Sequence, residues 1–537
     1  MTGPWLLAVL IAQAAPQGAQ RNDDWSSYNR TPASDRFSPL TQITADNVAR
    51  LRQVCMYDTR EQVSLQTGPV VINGVMYFTT DTMTYAIDAA TCVLQWKQRT
   101  PHKPTYLQVN RGVAYENGRL FRGAGAGYVL AIDAGTGRTL WNVPLGQLQP
   151  GESAPMAPLA WNGLVFIGNA GGDSHSVTGR VLALDQRDGR IVWSFEVVPD
   201  SGKIRDTWHN APDVPPTGGA FWTSFGLDTA QRVLYVPAGN PAPDFIPELR
   251  PGSNLLTNSV IALDAASGRL LGYFQIVRSD FHDWDVSAAP VVLTTRGGRA
   301  TIASANKDGL LSLLDRSAIR TSPAVGSEPG ALPLAHGLSL LRQIPVTTRE
   351  NTDVLLTPHS LVRFCPGSQG GNEWNGPAYY PPRNLLIVGA ADWCYNVQQA
   401  AIPSMKQMKP GDPWGGDVGG GFGTPDSASK ARGWITAVDA DSGTVRWQVR
   451  TPRPLLAGIT PTAGGVIFTG ELSGDVIALN PQTGAVLWRQ STGNGIGGGV
   501  ITYQARGKQL VAVAAGMKSP IWPTVVQSNR IVVFGLP

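Results

Sequence analysis

The chain has 537 residues, a formal charge of +4, 15% charged residues, 61 glycines and 41 prolines. So small a charge, with no run of Lys or Arg, speaks against nucleic acid as a partner. A hydrophobic share of 42% with 16 tryptophans excludes a disordered chain, and abundant Gly and Pro with few charges suit many short strands joined by tight turns.

The chain opens on an apolar run, Trp5-Leu6-Leu7-Ala8-Val9-Leu10-Ile11-Ala12, followed by the small residues Ala14, Ala15 and Ala19. This reads as a secretory signal peptide over residues 1–19, with a mature, exported and soluble chain from Gln20, although no Lys or Arg precedes the run. The run is too short to span a bilayer as a helix, and no later segment qualifies, so no integral membrane segment is expected. Thr44 to Leu51 reads as a short capped helix.

Internal repetition begins next. Ala86-Ile87-Asp88, a turn and Trp96 recur as Ala131-Ile132-Asp133 to Gly137 and Trp141, and as Ala183-Leu184-Asp185 to Gly189 and Trp193. They return as Ala437-Val438-Asp439 to Gly443 and Trp447, and as Ala478-Leu479-Asn480 to Gly484 and Trp488. A degenerate copy from Ala262 to Gly268 has Gly272 in place of the Trp, and Leu313-Leu314-Asp315-Arg316 reads as a worn copy. Ala and an aliphatic end one strand, Asp, Thr or Ser and Gly make the turn, and the next strand ends in a Trp that packs between units. Upstream of several copies lies a second hairpin, marked by Asn73-Gly74, Asn117-Gly118, Asn162-Gly163 or Gly464-Gly465. Two hairpins make a four-stranded antiparallel sheet. The Trp spacings of 45, 52 and 41 residues (96 to 141, 141 to 193, 447 to 488) have the period of a propeller blade. The expected fold is all-β: one domain over residues 20–537, a β-propeller of about eight blades. Two insertions, Asp200 to Phe221 and Ser317 to Ser368, are expected on one face, where sites sit.

Between repeats, Leu270 to Val277 reads as a buried strand that runs into Arg278-Ser279-Asp280-Phe281-His282-Asp283-Trp284-Asp285. Asn306-Lys307-Asp308-Gly309 follows the strand-like Ala300 to Ala305. An acid and a lysine on loops of neighbouring strands can form a base and an electrophilic helper. On these residues alone, a solvated loop and a hairpin turn are the competing readings. The four cysteines form no CxxC pair and no CxxCH, which excludes covalently attached haem c. Two disulfides are expected in an exported chain. Of three connectivities, Cys55–Cys92 and Cys365–Cys394 are the local ones, and free buried thiols are the alternative.

The Trp-ending repeat, the opening Asp24-Trp25-Ser26-Ser27-Tyr28-Asn29-Arg30 to Arg36-Phe37-Ser38-Pro39-Leu40, and Gly239-Asn240-Pro241-Ala242-Pro243 resemble the quinoprotein alcohol dehydrogenases. These are periplasmic eight-bladed propellers that bind pyrroloquinoline quinone (PQQ) and, usually, calcium. The resemblance spans nearly the whole mature chain. It implies that Asp285 is the catalytic base and that Asp173, Asn240 and Asp285 are Ca2+ ligands. It implies that Lys307 contacts the quinone carbonyls, that Arg111 lies near the cofactor and that the quinone stacks on Trp222. Gly171 and Gly172, before Asp173, and the pair Glu373-Trp374 complete the implied cofactor site. Such a site suits a flat quinone with three carboxylates: an aromatic wall, an Arg for carboxylate pairing, and hard oxygen ligands for calcium. Calcium would polarise the carbonyl that accepts hydride, Lys307 would support the growing oxyanion, and Asp285 would take the alcohol proton. Electrons would then pass to an external acceptor such as a cytochrome c. The resemblance also matches Cys365 and Cys394 to a disulfide of the family.

The chain departs from the family pattern at several points. Asp173 stands where the family has glutamate, and Thr105-Tyr106 where it has two adjacent cysteines. Glu373 stands where the family has asparagine, and Leu456 where many relatives put a Trp beside the substrate. Ser287 stands where lanthanide-using relatives carry a second aspartate, which favours calcium. These departures keep two other readings open: a non-catalytic propeller that scaffolds envelope assembly, and a quinoprotein that binds PQQ without ordinary turnover.

Overall fold

A computed structural model describes residues 23–104, 107–319, 337–524 and 527–537. The expected signal peptide and Thr105-Tyr106 lie outside the described residues. Among the described residues, eight four-stranded antiparallel sheets follow one another along the chain. Blade 1 consists of Val70–Ile72, Val75–Thr79, Met83–Asp88 and Leu94–Arg99. Its first strand is wholly buried and its last mostly exposed, so each blade runs from the axis to the rim. Six more sheets repeat this order. In blade 8 the rim strand is Arg52–Asp58, which pairs with Arg530–Gly535, so the two ends of the described chain close the ring. The Cys55–Cys92 disulfide ties that rim strand to blade 1. The Asn-Gly pairs behave as their sequence suggests: Asn73, Asn117 and Asn162 take φ near +50°, as a two-residue hairpin turn requires.

The Trp repeat is a lock between blades. In each copy the third and fourth strands slip register just after the repeat's Ala, which places Ala86 opposite Trp96, Ala131 opposite Trp141 and Ala437 opposite Trp447. The Trp then reaches the next blade's turn. Trp96 Nε1 donates to the Ala134 carbonyl at 3.0 Å, Trp141 Nε1 to Gln186 and Trp193 Nε1 to Ala265. The turn glycine is required twice over. Gly137 has φ +73°, and a Cβ there would lie 2.6 Å from the Trp96 ring. The turn Asp accepts from the backbone behind it, as Asp88 does from Ala90 and Thr91. Where Gly272 replaces Trp, Gly337 takes the space: a Cβ on Gly337 would lie 3.1 Å from Gly272 Cα. Leu313–Arg316 sits in blade 5 with the same register slip.

Residues 25–38 lace the inner strands together. Trp25 pairs with Val71 of blade 1, and Leu227, Val292 and Tyr379 donate their N–H to Pro32, Ala33 and Asp35. Ser38 donates to Pro461 at 2.9 Å. These contacts reach blades 1, 4, 5, 6 and 7.

Two expectations need correction. Thr44 to Leu51 forms no α-helix, only a 3₁₀ turn at Val48–Arg50. Asn47 accepts from the Thr44 N–H at 2.8 Å, and Leu51 is already buried at the entry to the rim strand, which leaves no room for a second turn. The insertion from Ser317 to Ser368 does not lie on one face. Strand Ser339–Pro345, the rim strand of blade 5, divides it. The part before that strand connects the third strand to the fourth; the part after it leads to blade 6. Residues 320–336 of it lie outside the described residues.

Candidate active site

Strand direction sorts the loops. Connections from second to third strand and from one blade to the next emerge on one face. The Asn-Gly hairpins and Asp-Gly turns emerge on the other. Arg111, Trp222, Asp285, Glu373 and Trp374 lie on blade-to-blade connections, whereas Asp173, Asn240 and Lys307 lie between second and third strands. All therefore share a face. A cavity of about 750 Å³ opens there, and each of these residues lines it, with Gly171 and Gly172.

The stretch from Asp280 to Asp285 is not a solvated loop. Asp280, His282, Asp283, Trp284 and Asp285 are all buried. Asp280 shapes the turn by accepting from the N–H of His282 at 3.0 Å and of Trp284 at 2.9 Å. His282 stacks on Trp284 with ring centroids 3.8 Å apart. Asp285 lines the cavity, and Asp283 is fully buried against Lys307. Lys307 Nζ lies 2.8 Å from Asp285 Oδ2 and 3.3 Å from Asp283. Its hairpin is tied down as well, since the Lys307 N–H donates to the Asp285 carbonyl at 3.2 Å. The other Asp285 oxygen accepts from the Asn240 N–H at 3.0 Å. The Asn240 carboxamide donates to Asp244 Oδ1 at 2.9 Å.

A second acid group stands beside this pair. Carboxylate oxygens of Asp173, Asp244 and Asp283 all lie within 4.8 Å of one another. Burial, and then the nearby Asp285, push Asp173 up to about 6. Burial with Asp173 beside it holds Asp244 well above the usual carboxylate range, and burial raises Asp283 against the pull of Lys307. Burial alone would lower Lys307; Asp283 and Asp285 outweigh it and hold the ammonium charged.

The remaining cavity wall is aromatic and cationic. The Arg111 guanidinium lies 4.8 Å from the Trp222 ring centroid and 5.3 Å from that of Trp374, and donates to the Trp222 carbonyl at 2.9 Å. Its Nε has no partner. Lys307 Nζ lies 5.7 Å from the Trp222 ring. Trp374 is fixed by its Nε1 donating to Gly497 at 2.7 Å. Glu373 is buried with Oε1 unpartnered, and burial pushes it up to about 7.

Other residues singled out in the sequence fall elsewhere. Ser287 is buried and donates to the Asn372 carbonyl. Leu456 packs in an apolar cluster with Trp374, Trp393 and Trp522. Neither is among the residues lining the cavity. The Cys365–Cys394 disulfide joins the connection before blade 6 to that blade's long insertion, on the cavity face. Sequence reasoning passed over Asp244 and did not assign Asp283, although Asp283 lay in a stretch it singled out. It also missed Phe422, Ile521 and Trp522, which line the cavity from blades 6 and 8. Only the Pro-Asp step after Gly239-Asn240 could have signalled Asp244.

Comparison with known proteins agrees with the fold. A family model described as the β-propeller domain of glucose/ethanol/alcohol dehydrogenases matches residues 25–318. A model described as outer membrane protein assembly factor BamB matches residues 431–531. The dehydrogenase subunit of alcohol dehydrogenase (quinone) of Gluconacetobacter polyoxogenes is 30% identical, over 92% of this chain and 71% of that protein. The lanthanide-dependent methanol dehydrogenase of Methylacidiphilum fumariolicum is 27% identical, over 92% of this chain and 84% of that protein. The structure of the quinohemoprotein alcohol dehydrogenase ADHIIG of Pseudomonas putida HK5 superposes with a TM-score of 0.83 at 25% identity, over 96% of this chain and 80% of that one. With eight blades, five of them carrying the repeat's Trp, and a family match over more than half its length, the chain belongs to the PQQ-dependent glucose/ethanol/alcohol dehydrogenase family of β-propellers.

Proposed function

We propose that this protein oxidises an alcohol with PQQ as its redox cofactor and calcium as its metal, in the periplasm, and passes the electrons to a separate acceptor such as a cytochrome c. The observation that carries this reading is the Lys307–Asp285 pair, 2.8 Å apart, at the wall of a cavity that also presents Trp222 and Arg111. The described residues suit both groups. Asp244 Oδ2 is a buried carboxylate oxygen with no protein partner, as a hard cation's ligand would be before the cation binds. Trp222, Trp374 and Arg111, with its free Nε, suit a flat polycarboxylate. PQQ and calcium would supply the hydride acceptor and the Lewis acid.

The chain's own residues do the rest. Lys307 and the Asn240 N–H fix the orientation of Asp285, so that a carboxylate oxygen can take the hydroxyl proton of the alcohol. Asp173 and Asn240 would hold the cation beside Asp285. Trp222 and Trp374 wall the cofactor site, and Arg111 and Lys307 offer positive charge to it. Leu107, Phe422, Ile521 and Trp522 give the cavity apolar lining that helps exclude water. Asp285→Asn keeps the shape and hydrogen-bonding capacity of the side chain but cannot take the proton. The variant is expected to bind PQQ as the wild type does and to lose at least about a hundredfold in dye-linked alcohol oxidation. Unimpaired turnover in that variant removes Asp285 as the base.

The match of residues 431–531 to an outer-membrane assembly factor favours a second reading, an envelope scaffold. That match covers parts of blades 6 to 8, and the acid–lysine cluster lies outside it. Recovery of stoichiometric envelope partners with a chain that binds no quinone supports the scaffold and contradicts the dehydrogenase.

A further inference from the structure

We propose that Asp244 is a direct cation ligand, which completes with Asp173 and Asp283 a three-carboxylate site for a hard cation of charge two or three. The proposal rests on the cation part of the function above and adds two carboxylates, Asp244 and Asp283, to the residues that hold the cation there. Asp244 follows Asn240 in the loop between the second and third strands of blade 4, and it is fully buried. Its two oxygens differ. Oδ1 accepts from the Asn240 carboxamide, which fixes the rotamer; Oδ2 lines the site without a protein partner.

Distance supports one shared ion. Two oxygens that ligate the same calcium-sized cation at about 2.4 Å can be no further apart than about 4.8 Å. The oxygens of Asp173, Asp244 and Asp283 meet that limit pairwise. They reach the point from three different connections, of blade 3, of blade 4 and between blades 4 and 5.

Charge points the same way. Asp173, Asp244, Asp283 and Asp285 face a single ammonium, and Lys307 contacts only Asp283 and Asp285 among them. No ion pair reaches Asp173 or Asp244 among the described residues. The nearby buried Arg250 donates to the carbonyls of Pro243, Asp244 and Asp280 and to Asn254 Oδ1, so it fixes the loop without a hydrogen bond to the Asp244 carboxylate. A Cβ on Gly415 would lie 3.3 Å from Asp244 Oδ2, so the residue opposite must stay small. Ser287 carries no charge into the site; on this proposal Asp244 brings the additional one.

The test is terbium luminescence on the full chain stripped of metal with a chelator, with Trp222 and Trp374 as sensitisers. Calcium is the second arm, by displacement of terbium. Wild type is expected to bind one terbium ion. Asp244→Asn is expected to weaken terbium and calcium at least tenfold, and to add one bound water in lifetimes compared between H2O and D2O. Unchanged affinity overturns the proposal, and so does weaker binding with an unchanged water count, which would make Asp244 a distant charge. A wild type that binds neither ion overturns both this proposal and the cation part of the proposed function. Tight wild-type binding with an indifferent variant overturns only this one. Should the Asn variant fail to fold, Asp244→Ala is read by the same criteria.

Discussion

At Gly239 a single methyl group has nowhere to go. A Cβ there would lie 2.6 Å from Asp285 Oδ1 and 3.0 Å from the Ala220 carbonyl, and the carboxylate is the partner able to move. Gly239→Ala is therefore expected to displace Asp285 from Lys307 and to lower kcat about a hundredfold, since a shift near 1 Å costs that much. Its melting temperature should move little; wild-type kcat would show that Asp285 tolerates displacement. Asp308, one residue beyond Lys307, gives a pH signature instead. Burial pushes its carboxyl up to about 7. A raised carboxyl binds its proton more tightly in the folded state, so its contribution to stability is complete below about pH 4 and fades as pH rises through about 7. Asp308→Asn should match wild type at pH 4 and exceed it by a few kcal/mol at pH 8, read as melting temperature against pH. Parallel profiles would contradict the burial argument. The sequence made Asp285 and Lys307 legible because each sits in a local cluster of polar residues at a strand end. It hid Asp244, whose carboxylate partners come from distant connections; a lone Asp after Pro looks like any turn.

Among elements, the Trp–Gly contact between blades is the unit that repeats. Trp447 is 9% exposed, donates to the Pro481 carbonyl at 2.9 Å, and fills the space a Cβ on Gly484 would need, 2.7 Å away. Trp447→Ala should cost about 3–5 kcal/mol, measured as the fall in denaturation midpoint. A change below 1 kcal/mol would show that neighbouring blades hold without the lock. The repeat was readable because one turn and one ring recur at blade spacing. The supposed helix at Thr44 to Leu51 was misread because a capping pattern does not report the tertiary burial of Val48 and Leu51 that ends the turn. The second insertion was misread because Ser339–Pro345, an exposed rim strand, has no Trp to announce it.

The whole molecule is organised by its two faces. The repeated turns that make the sequence recognisable all lie on one, and the acid–lysine cluster, the carboxylates and the aromatic wall lie on the other. The same turns recur in six of the eight blades, whereas the site is assembled once from non-repeating connections; fold was therefore easier to read than site. Ring closure through Arg52–Asp58 and lacing by residues 25–38 hold those connections in register around one cavity. Among the described residues, no helix is long and apolar enough to cross a membrane.

The most direct test is reconstitution of the purified chain with PQQ, with and without calcium, followed by absorbance as an alcohol is added. The account predicts a calcium-dependent quinone spectrum that bleaches on addition of the alcohol and returns when an electron-accepting dye is supplied. A chain that binds no PQQ under either condition would contradict it.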